Sequence, residues 1–159
     1  MPDCSIILLA EDDEDHILLI RRAFKQAGLL NPLYVVRNGE ETIAYLEGNG
    51  AYSNRADYPL PALLLLDLKM PKKNGFEVLE WIRAHAGFGS LRVVVLTTSE
   101  EVRDVNLAYQ LGANSFLTKP AEFTQLVSII CALQGYWLWM SKAPEISRPE
   151  LEKAEPARA

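Results

Sequence analysis

Residues 62–71 read ALLLLDLKMP, an apolar run that ends at the carboxylate of Asp67 and continues towards a proline. Such uninterrupted hydrophobicity over a short run predicts a strand that is buried on both faces of a parallel sheet. A carboxylate at the point where a buried strand meets a loop is either a misplaced charge or a reactive group. The side chains that other strand ends supply near Asp67 decide between these interpretations.

Short β-branched or leucine-rich runs alternate with longer amphipathic ones along the chain. This alternation is typical of an α/β fold in which helices cover both faces of a parallel sheet. We predict five strands, at residues 6–10, 33–36, 62–66, 92–96 and 115–118. We predict five helices, at residues 14–27, 40–47, 76–85, 101–111 and 122–140. The fold class is therefore α/β, doubly wound around a five-stranded parallel sheet.

Polar side chains follow four of the predicted strands, at the edge where ligands bind in open α/β sheets. In chain order they are Glu11, Asp12, Asp13, Asp67, Thr97, Thr98, Ser99 and Lys119. Carboxylates gathered at one edge repel one another unless a cation is present, and such hard oxygen ligands select Mg²⁺ or Mn²⁺ over Zn²⁺. A metal beside Asp67 makes this aspartate a candidate nucleophile for phosphoryl transfer, with Lys119 and Thr97 contacting phosphoryl oxygens.

Each of these features alone also has a simpler interpretation. The acidic run at residues 11–14 fits a helix N-terminus about as well as a metal site. The hydroxyls of Thr97 and Thr98 fit a strand end or a helix cap, and a single lysine such as Lys119 is most often solvated. Their occurrence in order at successive strand ends favours one common site.

Composition narrows the class of protein. The chain has 159 residues, of which 49% are hydrophobic and 23% charged, as expected for one globular domain. It has no apolar run of the roughly 20 residues that a membrane span needs and no signal sequence, so we expect a cytoplasmic protein. Cys4 and Cys131 lie far apart without a CxxC motif, which disfavours a disulfide framework or zinc site.

Charge and proline content set the domain boundary. The net charge is −5, and the acidic excess falls within residues 1–140, because residues 141–159 contain four basic and four acidic side chains. This balance argues against a nucleic-acid surface. Pro144, Pro149 and Pro156 interrupt the last segment. We therefore expect a domain at residues 1–140 followed by a disordered tail at 141–159.

The fifth predicted helix carries more apolar surface than one buried face uses. Its core-facing stripe consists of Leu126, Ile130, Leu133 and Trp137. Outside this stripe lie Val127, Ile129, Tyr136, Trp139 and Met140. These side chains indicate either a deeper core contact or a dimer surface. We favour a dimer surface at Tyr136, Trp139 and Met140, because large apolar patches usually mark interfaces.

The sequence resembles the receiver domain of two-component response regulators and is similar to the chemotaxis Y protein. The resemblance covers about residues 5–140. Its motifs are the acidic pair Glu11 and Asp12, Asp67 in LLLLDLKMPKKNGFEVL, Thr97 in VVVLTTS, and Lys119 before Pro120 in FLTKP. The gaps of 30 residues from Asp67 to Thr97 and of 22 from Thr97 to Lys119 fit that family.

The resemblance implies a flavodoxin-like (βα)5 fold with strand order 2-1-3-4-5, and phosphorylation of Asp67 by a histidine kinase. It implies Mg²⁺, with Mn²⁺ as a substitute, bound by the side chains of Asp12 and Asp67, by the Lys69 carbonyl and by Glu11 through water. It further implies that Lys119 and Thr97 contact the phosphoryl group. Thr97 would move together with Phe116 and report to the surface of the fourth helix, fifth strand and fifth helix. Family members also commonly have a cis bond before the proline that corresponds to Pro120.

Two departures from the family pattern point to a narrower group. The segment at residues 48–61 is long, and the domain ends with YWLWM and a tail instead of an output domain. Both features resemble single-domain regulators that partner bacterial phytochrome kinases and tend to form homodimers.

The sequence supports three alternative functions less well. A haloacid dehalogenase-type phosphatase needs a second carboxylate two residues after its nucleophile, where this chain has Lys69, and it needs a cap domain. An inactive receiver that serves only as a binding module is disfavoured because Asp12, Asp67, Thr97 and Lys119 are all present. A DNA-binding output role is disfavoured by the charge balance.

Overall fold

The computed structural model describes residues 5–89 and 91–135. Its sheet has five parallel strands in the order β2-β1-β3-β4-β5. The strands are β1 (Ile7–Ala10), β2 (Leu33–Val36), β3 (Leu63–Leu66), β4 (Arg92–Thr97) and β5 (Ser115–Thr118). The predicted fold class and strand order are confirmed, and every predicted strand boundary lies within one residue of the observed one.

Five α-helices and one short 3₁₀ turn connect the strands. They are α1 (Glu14–Gln26), α2 (Gly39–Glu47), the turn Gly50–Tyr52, α3 (Gly75–Ala84), α4 (Val102–Gln110) and α5 (Phe123–Leu133). The first four helices match their predicted bounds within one residue at each end. Residues 136–140 of the predicted fifth helix and the predicted tail at 141–159 lie outside the described residues, so the boundary at residue 140 stays a prediction.

Two apolar cores lie on opposite faces of the sheet. Because side chains alternate along a strand, Leu64 and Leu66 enter one core while Leu63 and Leu65 enter the other. The first core packs against α2, α3 and α4, and the second packs against α1 and α5. The leucine run before Asp67 is thus buried on both sides, and strand order reverses between β1 and β3 at the end of this run.

The long segment before β3 is anchored by Arg55. Its guanidinium donates to the carbonyl oxygens of Tyr45 at 2.7 Å, Leu46 at 2.5 Å and Tyr58 at 3.2 Å. Two of these carbonyls end α2, where backbone acceptors lack helical partners. The ring of Tyr45 packs against those of Tyr52 and Tyr58, which fixes the segment to the first core.

We expect Arg55→Ala to lower the free energy of unfolding by about 2 kcal/mol, because it removes three hydrogen bonds to part-buried carbonyl oxygens. Urea denaturation measures the loss. Arg103→Ala is the matched control, since the Arg103 side chain is 85% exposed and pairs with exposed Glu101. Equal losses in both variants would contradict the anchoring role.

Within the described ranges no helix is both long and apolar enough to cross a bilayer. No peptide bond in those ranges is cis, so the implied cis bond before Pro120 is wrong for this structure. The trans form is the lower-energy isomer of X–Pro bonds in general.

Candidate functional site

The carboxyl ends of the strands bring four of the predicted side chains together. They are Glu11, Asp67, Thr97 and Lys119. The backbone N–H of Asp67 donates to the Ala10 carbonyl at 3.0 Å, and that of Lys119 donates to the Thr97 carbonyl at 2.7 Å. These bonds continue the parallel pairing one residue beyond each strand. The backbone of Asp67 and Lys119 is therefore held as firmly as the sheet itself.

The Lys119 ammonium links the two acidic members of the site. Its Nζ lies 3.0 Å from Asp67 Oδ2 and also donates to Glu11 Oε1. Glu11 is 1% exposed, and the side chains of Asp67 and Lys119 are each 10% exposed. Buried carboxylates are costly unless paired, so the ammonium acts as the counter-ion of both.

The two carboxyl groups differ in their affinity for protons. Burial raises the pKa of Glu11 to about 7, and a hydrogen bond with Asp67 adds to the rise. Burial also acts to raise the pKa of Asp67, but the hydrogen bond from Glu11, the charge of Lys119 and a hydrogen bond from Thr97 outweigh it, so this pKa is lowered. Asp67 is therefore ionised at neutral pH, as a nucleophile or metal ligand must be.

The oxygen-rich site suits a hard divalent cation. Ligand atoms of Glu11, His16 and Asp67 lie within 4.8 Å of one another. Asp12, which we predicted as a ligand, lies at the exposed rim, and its backbone N–H donates to Glu11 Oε2 at 3.0 Å. Carboxylate oxygens with access to water fit Mg²⁺ or Mn²⁺. This donor set supports the predicted cofactor.

The loop after β3 is held close to Asp67. The Lys69 N–H donates to Asp67 Oδ1 at 3.3 Å, and the Gly75 N–H donates to the Leu68 carbonyl at 3.0 Å. A Cβ on Gly75 would lie only 2.5 Å from the Asp67 carbonyl oxygen. Glycine is therefore required for α3 to begin this near the site, and Lys69 is kept at the rim.

Thr97 and Phe116, the predicted switch pair, occupy neighbouring strands. Thr97 is fully buried, and its Oγ1 accepts the Ser99 N–H at 3.4 Å. Phe116 pairs with Val95 in the sheet, and alternation places Val95 and Thr97 on the same face. Half-buried Phe116 packs against the first core on that face.

Sequence reasoning missed His16. Its Nδ1 lies 3.0 Å from Glu11 Oε1 and 2.9 Å from Lys119 Nζ. The five-residue spacing from Glu11, which precedes α1, gives no signal of this contact. The simpler interpretation of the acidic run is right for Asp13, whose carboxylate caps α1 by accepting the Asp15 N–H at 2.9 Å.

The residues assigned to a dimer surface, Tyr136, Trp139 and Met140, lie outside the described residues. Within the described part of α5, Val127 and Ile129 are half-buried and pack against the second core. For these two side chains the deeper core contact is the observed arrangement.

Comparisons with known proteins identify the family of the chain. The response regulator receiver domain family matches residues 7–131. The probable methanogenesis regulatory protein FilR2 of Methanothrix harundinacea (strain 6Ac) is 38% identical over 145 residues, which are 89% of each chain. The response regulator Rcp1 of Synechocystis sp. (strain ATCC 27184 / PCC 6803 / Kazusa) is 36% identical over 133 residues, which are 84% of this chain and 88% of Rcp1.

Two solved structures extend the likeness to the fold. The Mn²⁺-bound form of Rcp1 has a TM-score of 0.79 at 34% identity and covers 88% of this chain and 99% of its own. The phosphorylated cyanobacterial phytochrome response regulator RcpA has a TM-score of 0.81 at 36% identity and covers 89% of this chain and 99% of its own. The chain belongs to the response regulator receiver domain family of two-component signalling proteins.

Proposed function

We propose that Asp67 accepts a phosphoryl group from a histidine kinase in a Mg²⁺-dependent reaction. The observation that carries this proposal is the pairing of a buried carboxylate of lowered pKa with an ammonium 3.0 Å away, at the end of a strand. The carboxylate is ionised and fixed, and the ammonium is placed to meet a phosphoryl oxygen. Both requirements of an acyl phosphate acceptor are thus supported by one ion pair.

The transfer follows from these positions. A carboxylate oxygen of Asp67 attacks the phosphorus of a phosphohistidine, an O–P bond forms, and the N–P bond breaks with the electron pair going to the imidazole nitrogen. Lys119 and the Thr97 hydroxyl donate to phosphoryl oxygens. Bound Mg²⁺ would supply charge neutralisation between the two anions, held by Asp67 and Glu11 with Asp12 and the Lys69 carbonyl at the rim.

Two relatives support the phosphorylation, the metal and the class of kinase in this proposal. RcpA is described as phosphorylated and as a phytochrome response regulator, and Rcp1 as binding Mn²⁺. We extend these properties to this chain and propose a bacterial phytochrome as the class of kinase. The product is then a signal carried by an aspartyl phosphate, with Thr97 and Phe116 as the switch pair, and the protein is not a turnover enzyme.

Candidate kinases from the same organism test the phosphate donor. Each kinase is labelled on its histidine, mixed with the chain, and followed for transfer of the label. We expect rapid transfer from a phytochrome-type kinase and slow transfer from others. No transfer from any kinase, together with no reaction with acetyl phosphate and Mg²⁺, would favour the inactive binding module.

The metal assignment has its own test. We expect Asp12→Asn to weaken Mg²⁺ binding about tenfold, because it removes one negative charge at the rim while the buried residues keep the fold. Isothermal titration calorimetry measures the affinity, and circular dichroism checks the fold. Asp57→Asn changes an exposed aspartate in the 48–61 segment and is the control. Unchanged Mg²⁺ affinity in Asp12→Asn would show that Asp12 is not a ligand.

We further propose a homodimer through α4, β5 and α5. Within the described residues, α4 exposes large apolar side chains, with Val102 72%, Tyr109 49% and Leu107 38% exposed. Such exposed apolar side chains suit a protein interface. We expect Trp139→Ala to shift sedimentation towards the monomer, while Leu30→Ala, which changes a side chain 84% exposed between α1 and β2, leaves it unchanged. An unchanged oligomer would contradict the role of Trp139.

A further inference from the structure

Four residues form a chain of hydrogen bonds from the site to α4. The Thr97 hydroxyl makes a hydrogen bond with Asp67, and its Oγ1 accepts the Ser99 N–H at 3.4 Å. The Ser99 hydroxyl then donates to Asp104 Oδ2 at 2.6 Å. Asp104 lies in the first turn of α4, so these contacts lead from the end of β4 to that helix.

The bond between Ser99 and Asp104 is a strong link in this chain. Hydrogen bonds from a hydroxyl to a carboxylate are about 2.5–2.7 Å long and roughly twice as strong as neutral ones. Ser99 is 7% exposed and Asp104 is half-buried, so water competes poorly for the bond. Ser99 Oγ also accepts the Glu101 N–H at 3.4 Å. The simpler interpretation is therefore that the pair only caps the start of α4.

The packing of α4 argues for more than a cap. Within the described residues α4 buries Ala108 alone, whereas each of the other four helices buries three or four residues. Apolar burial is the main force that holds a surface helix in place. Because α4 has so little of it and is firmly bonded to Ser99, we expect the helix to follow when the loop after β4 moves.

A second hydrogen bond ties α4 to the other member of the switch pair. The Tyr109 hydroxyl accepts the Phe116 N–H at 3.1 Å. In the described sheet β5 lies at the edge, and Tyr109 supplies an acceptor of the kind that a further strand would supply. The Tyr109 side chain is 49% exposed, so water can replace its hydroxyl on Phe116 at little cost.

We propose that the switch pair is coupled through α4, with Asp104 and Tyr109 as positioning residues. When the Thr97 hydroxyl turns to a phosphoryl oxygen on Asp67, the loop after β4 moves with it. Asp104 carries this movement to α4, and Tyr109 then leaves the Phe116 N–H. The inference rests on the proposed phosphorylation of Asp67 and assigns a physical route between the two members of the switch pair.

This coupling opposes binding at the site in the resting protein. Tyr109 holds α4 against Phe116, so a phosphoryl mimic that moves the loop also has to displace the helix. A change that frees α4 from Phe116, or frees the loop from α4, removes this cost and raises the affinity of the mimic. A residue that only capped α4 would change the stability of the protein and leave the affinity as it is.

A double-mutant cycle in the full chain tests the route. The probe is beryllofluoride with Mg²⁺, a mimic of the phosphoryl group, and calorimetry measures its affinity. Tyr109→Phe keeps the ring and removes the acceptor, so we expect binding to tighten about threefold. Asp104→Ala should tighten binding by about three- to tenfold, and adding Tyr109→Phe to it should then have no further effect. Equal effects of Tyr109→Phe in both backgrounds overturn the route through α4.

Amide NMR gives a second readout, which a cap alone would not change. In the wild type, beryllofluoride should shift the amide of Phe116 and the amides of α4. In Asp104→Ala the probe should still bind, while the α4 amides keep their resting positions. Arg103→Ala changes a side chain that is 85% exposed on the same turn, and it should respond like the wild type. Shifts of the α4 amides in Asp104→Ala that equal those of the wild type overturn this inference alone.

Urea denaturation checks that the variants fold. If Asp104→Ala does not fold, Ser99→Ala takes its place with the same expected outcomes, because it removes the same hydrogen bond from the donor side. A wild type that binds no beryllofluoride and gains no phosphate from acetyl phosphate overturns the proposed function, and this inference with it.

Discussion

We expect Asp67→Asn to abolish phosphoryl incorporation from acetyl phosphate and Mg²⁺, whereas the wild type should gain one phosphate by intact mass. The amide keeps the size of the side chain but lacks the negative charge and the nucleophilic oxygen that the transfer needs. The effect is expected to be complete, because Asp67 combines a lowered pKa with direct pairing to Lys119, whereas the pKa of Glu11, the other partner of Lys119, is raised.

The control for this expectation is Asp57→Asn, which changes an exposed aspartate in the 48–61 segment and should gain phosphate like the wild type. Folding of Asp67→Asn is checked by urea denaturation. Phosphate on a folded Asp67→Asn protein would move the acceptor to another side chain, with buried Glu11 as the first to examine.

Lys119→Met is expected to have the second large effect. It should slow phosphorylation and strengthen Mg²⁺ binding. Loss of the ammonium removes a charge that would stabilise the transferring phosphoryl group, so we expect phosphorylation to slow by roughly a hundredfold or more. The same change leaves Glu11 and Asp67 without their counter-ion. Mg²⁺ should then bind more tightly, because it no longer competes with the ammonium for these carboxylates.

Stopped-flow phosphorylation and calorimetric Mg²⁺ titration measure the two effects in the same preparation. Lys72→Met, which changes an exposed lysine in the loop after β3, is the matched control and should alter neither. If Lys119→Met bound Mg²⁺ more weakly than the wild type, the ammonium would not be a competitor of the metal.

Much of the fold was predictable because burial leaves a strong local pattern. The leucines before Asp67 and the valines of β4 form continuous apolar runs, and such runs locate central strands to within a residue. The strand ends then placed Glu11, Asp67, Thr97 and Lys119 at one edge, and the structure brings them there.

The sequence did not predict the structural roles of some side chains, because these roles depend on contacts that leave no local pattern. His16 is a single histidine after an acidic run, and no spacing rule separates it from a helix-surface residue. Arg55 reaches carbonyls at the end of α2 from within an irregular segment, and nothing in its local sequence indicates that contact. Asp12 was grouped with Glu11 by position, but one residue further along it lies at the exposed rim.

The ion bridge from Lys119 to Glu11 also shows how much of the chain the site needs. It joins residues 108 positions apart, whereas Arg55 joins carbonyls within 10 positions of itself. Contacts between distant positions close larger loops than local contacts do, and closing a larger loop costs more conformational entropy. The acceptor site therefore matures only after β5 has docked on β4. Lys119 reaches Asp67 from the end of a paired edge strand, so the site is complete only when all five strands are in the sheet.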